Sequence, residues 1–488
     1  MAVIHDVCVV GGGPAGLTVA LTLGEAGVAV LLLESGGLRD AAGAQELNAG
    51  ENVGEPYLGL DRTRFRGLGG TANAWDVRVH GRPGAKYVPL SARDMVDWPI
   101  GWEELASYYV EAQDLCGLGP FEYGADRWSG PGRKPFRLDG TGLMSAVYQF
   151  GLAERFTCEL VDDVLTSESV SVATSTTVVG LDVDRARRRM RAVRAVDGSG
   201  DVVEVKARAV VLACGAVENA RLLRLAGIDS EWLGRCFMEH ARDFSLALLP
   251  ESPDVFAQAA FYDLFTSEDG VRIGGRLGLT EDAQDRHGLP NGSITLAPRR
   301  RRNLLRRLVA PAAARARRAV GIGSGDRYGW SSVRSPARAF VSFDIVLNLE
   351  QRPHPWNRID LSRRKDRFGN PLPRLLLRWT DEEQEELERL RELLGEWFRA
   401  ASLGHLVATR GLPPDLSAHH HAGTTRMAGE AQAGVVNPDC RVFGVDNLYV
   451  TGASAFPSAG FANPTLTIVA LARRLGRHLL ADERVPKA

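Results

Sequence analysis

Apolar positions along this chain switch between two periods. Residues 7–10 are an apolar run, VCVV, followed by GGGPAG, an amphipathic stretch LTVALTLGEAG, and a second apolar run, VAVLLL, that closes on Glu34. Short apolar runs bounded by glycine predict buried parallel strands, and the 3.6-period stretch between them predicts a crossover helix, so this region reads as one βαβ unit. A similar pattern returns in ARAVVLACGAVENARLLR (207–224): a buried strand ending in Ala213, Cys214 and Gly215, then a helix beginning near Glu218. VSFDIVLNLEQRPHPWNRIDLS (341–362) alternates as sheet strands do, with a break at Pro353 and Pro355. Three amphipathic helices are also predicted. One follows the Trp98–Pro99 break and either caps a ligand site or, the favoured reading, packs the core; one spans 380–400 with Thr380 as N-cap; the last runs through TLTIVALARRLGRHLL, opened by Pro464 in the first-turn position that suits proline.

The glycines of the first unit carry chemistry. Gly11, Gly13 and Gly16 spell GxGxxG. The first permits the tight turn, the second lets backbone approach a pyrophosphate, and the third lets helix meet strand. Glu34, 23 residues after Gly11, stands where an acid takes ribose hydroxyls and repels a 2′-phosphate. This unit alone does not separate FAD from NAD. A pyridine-nucleotide reductase would need a second such turn, and GIGSGDRYG (321–329) lacks the flanking strand and helix. RFRGLGGTANAW (64–75) is too glycine-rich for an element interior, so its backbone must turn sharply or lie against something flat.

Composition narrows the class. A length of 488 residues suggests two or three domains, and 44% hydrophobic with 24% charged residues is an ordinary globular balance. A formal net charge of -1 gives no global pull toward nucleic acid or anionic membrane. Six scattered cysteines without a CxxC signal neither a zinc ribbon nor a redox dithiol and suit a reducing cytoplasm, the expected location. Neither a leader-like start nor a run of 18 apolar residues is seen, so neither export nor a membrane span is expected. The outlier is the stretch from Arg299 to Val320, with nine arginines and no acid, within an insertion of about 299–335. A lid, a partner contact or local anion binding all suit it. It also supports the alternative reading: a phosphate-, lipid- or nucleic-acid-binding protein with a regulatory nucleotide fold.

HHHAGTTRM (419–427) sets three histidines before a small, hydroxyl-bearing turn. Adjacent imidazoles converge poorly on one ion, and no HExxH accompanies them, so no metal is assigned. General base and core packing remain open from the residues alone.

Taken together, the GxGxxG unit, RGLGGTANAW, ACGAVENARLL, LGRCFMEH (233–240), HHAGTTRM and the run GVVNPDCRVFGVDNLYVTGASAFPSAGFANPTLTIVALA resemble the glucose–methanol–choline (GMC) family of FAD-dependent alcohol oxidoreductases. The motifs are most similar to the pyranose oxidase and the sugar and gluconate dehydrogenase branches. The resemblance implies an α/β, Rossmann-like FAD-binding domain made of residues 1–80, 165–245 and 415–488. It further implies a discontinuous α+β substrate-binding domain of residues 81–164 and 246–414, with a large antiparallel sheet roofing the substrate pocket.

The family's HxxGT pattern places the catalytic base at His420, and its second catalytic position falls on Asn463. His420 would take the hydroxyl proton of a sugar, glycoside or sugar-like substrate, aminoglycosides included, while hydride passes to flavin N5. Asn463 would orient the substrate oxygen. The implied cofactor contacts are Gly11, Gly13, Pro14, Ala15, Gly16, Glu34 and Ser35; Arg66, Gly69, Gly70, Thr71, Asn73, Ala74 and Trp75; Val178, Ala213, Cys214, Gly215 and Glu218; and Gly452, Ala453, Pro464 and Thr465. Gln351, His354 and His421 are candidate substrate contacts.

In the pyranose oxidase branch a histidine before the tryptophan holds flavin covalently. Ala74 stands there in this chain, which implies noncovalent FAD. Together with Asp76 it leans the expectation toward a dehydrogenase, the acceptor being dioxygen or a quinone, dye or redox protein. A homo-oligomer is compatible with these features, and no nucleic-acid partner is expected.

Overall fold

The computed structural model describes residues 4–38, 43–79, 81–301, 329–409 and 414–482. The part of the arginine-rich stretch from 302 onward, with most of GIGSGDRYG, lies outside them. Among the described residues the strands form seven-, nine- and three-stranded sheets.

The seven-stranded sheet runs in the order Val170–Ala173, Val30–Leu33, Ile4–Val10, Val202–Leu212, Arg189–Val196, Thr177–Asp184, with Leu448–Val450 also beside Val202–Leu212. Its first four strands and Leu448–Val450 are parallel; the other two return antiparallel. Val7, Cys8 and Val9 are wholly buried, the pattern of a parallel strand covered on both faces. Helix α1 (Pro14–Gly24) starts on the capping Gly13 and packs against α3 (Thr465–Ala481). That contact is close: a Cβ on Gly476 would stand 2.6 Å from Thr22 Cγ2, and the Arg473 guanidinium donates to Thr22 Oγ1 at 2.9 Å. Helix α2 (Gly215–Leu225) begins three residues before the expected Glu218, because Cys214 serves as N-cap and its N–H donates to Asn219 Oδ1 at 2.9 Å. Pro464 stands at the N-cap of α3, one position ahead of the first turn.

The nine-stranded sheet runs Gly404–Ala408, His240–Pro250, Phe340–Glu350, Gly292–Arg300, Arg272–Leu279, Leu143–Leu152, Arg82–Tyr87, Val77–Val79, with Leu264–Thr266 beside Arg272–Leu279, and the pairings are antiparallel. The small sheet joins Arg358–Lys365 and Pro371–Leu377 to Glu51–Gly54, tying residues early in the chain to the region after the proline break. Helix Asp381–Ala400 carries the expected Thr380 cap, completed as a capping box by Glu383, a device that contributes about 1 kcal/mol.

Candidate active site

Three parallel strands end side by side, and each is followed by a glycine turn. Ile4–Val10 leads to Gly11, Val202–Leu212 leads to Gly215, and Leu448–Val450 leads to Gly452. All three glycines take positive φ, +103°, +76° and +96°. Gly11 and Gly16 are structural: a Cβ would lie 2.7 Å from the Ala213 carbonyl oxygen and 1.8 Å from that of Gly11, respectively. Gly13 is different, for its nearest neighbour would be Gly70 Cα at 3.7 Å, and no side chain caps the helix there. Around Gly215 a Cβ would meet nothing within 4 Å.

The turn is buttressed from two sides. Glu34, buried at the end of its strand, accepts from the Gly12 and Gly36 N–H groups at 2.8 Å each. The 66–75 loop docks through the Gly69 N–H on the Gly12 carbonyl at 2.9 Å, then forms a short 3-10 helix, Gly70–Ala74, inside which Asn73 Nδ2 donates to the Leu68 and Gly70 carbonyls. Thr71 Oγ1 accepts from the Phe65 N–H within the same loop, Arg66 donates to Ser35 Oγ at 2.9 Å, and Trp75 packs edge-on to Tyr87 and Phe156.

A bare helix start and glycine edges fit a dinucleotide pyrophosphate, while Glu34 in this structure braces the turn through the Gly12 and Gly36 N–H groups. Ala15 flanks this opening, its Cβ 3.8 Å from where one on Gly452 would stand; Val178 lies in the antiparallel extension opposite Ala195.

Glu218 departs from its expected place. Its carboxylate meets Arg66 at 3.1 Å, Arg221 at 2.8 Å and Arg64 at 3.7 Å, and these cations hold its pKa down at about 2 despite burial. It is the anchor of a buried ion cluster, and the sequence shows no sign of the three arginines converging.

The histidine tract is drawn to the strand ends by backbone pairing. The Gly423, Thr425 and Met427 N–H groups donate to the Ala453, Ser454 and Ala455 carbonyls, while Ala422 and Met238 exchange two hydrogen bonds at 3.1 Å. His419 takes φ +65°, a left-handed conformation costing about 1–2 kcal/mol. The next two rings then part company: His420 turns to His240 and Asn463, His421 to Tyr57 and Phe237.

His420 Nδ1 lies 2.9 Å from His240 Nδ1, and His420 Nε2 lies 3.3 Å from Asn463 Nδ2. The main-chain N–H of His420 donates to Glu239 Oε2 at 2.9 Å. Asn463 Oδ1 and His240 Nε2 are buried without a partner in hydrogen-bonding geometry among the described residues. Burial, then the neighbouring His240, depresses the pKa of His420 well below the usual histidine range; burial alone dominates at His240, which falls to about 3.

Behind them lies a network that sequence reasoning missed. Glu239 is fully buried, accepts from the Tyr57 hydroxyl, and is pushed up to about 7 by desolvation. Tyr57 also lies 2.6 Å from His421 Nε2, which is 3.3 Å from Glu239 Oε1. Burial shifts the carboxyl up and holds His421 and Tyr57 toward their neutral forms, so His421 and Glu239 are joined through hydrogen bonds rather than as an ion pair. His421 is therefore turned into the protein, not toward substrate. Gln351 joins the network too, its Oε1 accepting from the Glu239 N–H at 3.0 Å, although its buried Nε2 has no partner among the described residues. His354 caps the Trp356 N–H in a local turn and makes no hydrogen bond to these groups. LGRCFMEH held Glu239 and His240 in plain view, but Tyr57 has no local signal, its partner lying 182 residues away.

Among the described residues no cluster of three or more metal-ligating side chains occurs, and no helix is long and apolar enough to cross a membrane.

Comparison with known proteins agrees with this geometry. Residues 5–280 match the family described as pyridine nucleotide-disulphide oxidoreductase, and residues 353–472 match GMC oxidoreductase. A 6'''-hydroxyparomomycin C oxidase of Streptomyces lividus is 24% identical over 98% of this chain and 92% of its own length. The C-glycoside 3-oxidase of Arthrobacter globiformis is 38% identical over 120 residues, 24% of this chain and 22% of that protein, so the similarity spans under a quarter of it. Among solved structures, formate oxidase of Aspergillus oryzae and pyridoxine 4-oxidase of Mesorbium loti each superpose with TM-score 0.59, at 18% and 16% identity over 98% of this chain and 98% and 100% of theirs. These are oxidoreductases, so the binding-protein reading of the arginine-rich stretch finds no support. The N-terminal half carries the dinucleotide fold of the pyridine nucleotide-disulphide oxidoreductases, and with its C-terminal signature the chain belongs to the GMC family of FAD-dependent alcohol oxidoreductases.

Proposed function

We propose that this protein oxidises a hydroxyl group of a sugar, glycoside or sugar-like metabolite to the carbonyl, with noncovalently held FAD. The observation that carries the reading is the 3.3 Å approach of His420 Nε2 and Asn463, groups 43 residues apart, beside the glycine-edged strand ends. FAD supplies the two-electron acceptor for the hydride leaving the carbinol carbon. The protein supplies the rest.

His420 takes the hydroxyl proton on Nε2. For that, the nitrogen must carry a lone pair, and Asn463 marks it. Asn463 Nδ2 is a donor 3.3 Å from His420 Nε2, so that nitrogen takes the acceptor role and the ring proton sits on Nδ1, facing His240. His240 Nδ1 is then an acceptor, the single proton in the 2.9 Å contact belongs to His420 Nδ1, and His420 Nε2 is left free to act as base. The Asn463 amide donates to the substrate oxygen as it gains negative charge. Glu239 holds the base in place through the His420 N–H.

Ala74, which offers no nucleophile before Trp75, supports noncovalent attachment. The relatives named as oxidases support dioxygen as acceptor, against the lean toward a dehydrogenase drawn from Ala74 and Asp76. We assign residues 1–80, 165–245 and 415–488 to the FAD-binding unit and 81–164 with 246–414 to the substrate-binding unit; strand His240–Pro250 runs from one range into the other. The test is anaerobic: a yellow protein bleached by a member of a panel of sugars, glycosides and aminoglycosides supports the reading, and a colourless protein, or one that none of them bleaches, contradicts it.

A further inference from the structure

The register of the nine-stranded sheet decides which side chains look at this site. Lys86 stands opposite Phe150, Ala146 opposite Arg276, Gly278 opposite Ser293, Ser293 opposite Asn348, and Asn348 opposite Arg242. Because residues two apart share a face, Lys86, Tyr148, Arg276, Asn348, Arg242 and His240 all project from the same side. That side faces the catalytic groups: His240 meets His420, and Asn348 Nδ2 donates to the Phe461 carbonyl at 2.7 Å, two residues before Asn463.

Arg276 is the anomaly on this face. Only 9% of it is exposed, and its guanidinium lies 4.6 Å from the Phe461 ring centre and 5.4 Å from that of Tyr148. Its Nε is buried without a hydrogen-bond partner among the described residues. Asp94 is the carboxylate whose charge reaches it, yet both Asp94 oxygens are taken, one by Ser91 and the other by Asn291. Two aromatic faces recover only part of what desolvating a guanidinium costs, and a buried cation ordinarily finds an anion. Positive charge is also reinforced nearby: Lys86 lies 4.8 Å from the centre of the Tyr148 ring, and Lys86 and Arg242 both act on His420. Arg242 is itself paired with Asp415.

We propose that Arg276 binds an oxyanion carried by the substrate, a carboxylate or a phosphate, so that the preferred hydroxylated compound is a sugar acid or sugar phosphate rather than a polyamine glycoside. This rests on the alcohol-oxidising reading above. The guanidinium fork matches either oxyanion by two parallel hydrogen bonds, and an ammonium-rich sugar would be repelled by the cations of this face.

Two measurements test it on the flavin-loaded enzyme. Titration with acetate and with inorganic phosphate, read by perturbation of the flavin absorbance, should saturate, the tighter of the two naming the oxyanion; Arg276→Gln should weaken it at least tenfold and Arg276→Lys less. Separately, kcat/KM for glucuronate or glucose 6-phosphate over that for glucose should exceed ten, and that ratio should collapse in Arg276→Gln. Absence of any anion effect in the wild type, which needs no folded variant, overturns the inference, as does an unchanged ratio in Arg276→Gln or a preference for a polyamine glycoside. Should none of these compounds bleach the flavin, the proposed function fails while the anion titration still decides the role of Arg276.

Discussion

His420 and His240 face each other through their Nδ1 atoms at 2.9 Å, in surroundings that keep both rings neutral. One proton occupies that contact, and its owner determines whether His420 is a base or a donor. Removing the acceptor by His240→Leu should lower kcat about 100-fold, the lower end of what positioned proton transfer contributes. His240→Asn, whose side-chain oxygen can still accept, should recover much of it. Nitrogen-15 spectra of histidine-labelled enzyme should show His420 protonated at Nδ1 in the wild type and in His240→Asn; a wild-type His420 protonated at Nε2 would refute the assignment.

Because burial depresses His420, its neutral form persists below the ordinary histidine pKa of about 6.5. The acid limb of kcat/KM should therefore fall below pH 6.5. An acid limb above pH 7 would mean that another group titrates.

Stability should carry two opposed slopes. His240, at about 3 when folded, refuses a proton that the unfolded chain takes below about pH 6.5, so stability is intact above 6.5 and is lost as pH falls toward 3. Glu239, at about 7 when folded, does the reverse: its contribution is present below the unfolded value of 4.5 and is lost as pH rises to 7. Between pH 5 and 6.5 the two oppose each other, and His420 and His421, also held below the usual histidine range by burial, add to the histidine side. Removing the carboxyl in Glu239→Gln should make the loss of unfolding free energy on acidification steeper than in the wild type by up to about 1.4 kcal/mol per pH unit. Parallel curves for the two proteins would remove Glu239 from the account.

Gly13 and Gly16 separate cofactor binding from folding. Gly13→Ala places its Cβ no closer than 3.7 Å to any neighbour, so the chain should fold, yet the methyl group intrudes where the pyrophosphate approaches and FAD content should drop at least tenfold. Gly16→Ala collides with the Gly11 carbonyl at 1.8 Å and should abolish soluble protein. A fully yellow Gly13→Ala variant would argue that the phosphates lie elsewhere.

Ala74 underlies the proposal that FAD is held noncovalently and bears on the acceptor. Acid precipitation of the yellow enzyme should leave FAD in the supernatant, and aerobic turnover should yield one peroxide per carbonyl formed. Colour retained in the pellet would show a covalent bond from a residue other than 74.

The sequence made the cofactor half legible because its signals are local. GxGxxG with a following helix and Glu34, the strand into Gly215, and Pro464 ahead of a long helix all lie within about 30 residues of their partners. His420 and Asn463 were reachable only through whole-chain resemblance, since nothing nearby distinguishes a base from a packed ring. What stayed hidden depends on tertiary pairing. Met238 bridging to Ala422 brings Glu239 and His240 beside His420, Tyr57 joins from 182 residues away, and three arginines converge on Glu218. His421 misled because its ring is taken up by Tyr57 and Glu239, whereas Gln351 serves Glu239 through Oε1 alone.

The central assignment is the proton acceptor, and the reductive half-reaction of His420→Ala tests it most directly. Stopped-flow mixing of the anaerobic, FAD-loaded variant with the best substrate of the panel should show flavin content near wild type and bleaching slowed at least 100-fold. Bleaching at the wild-type rate would contradict the account.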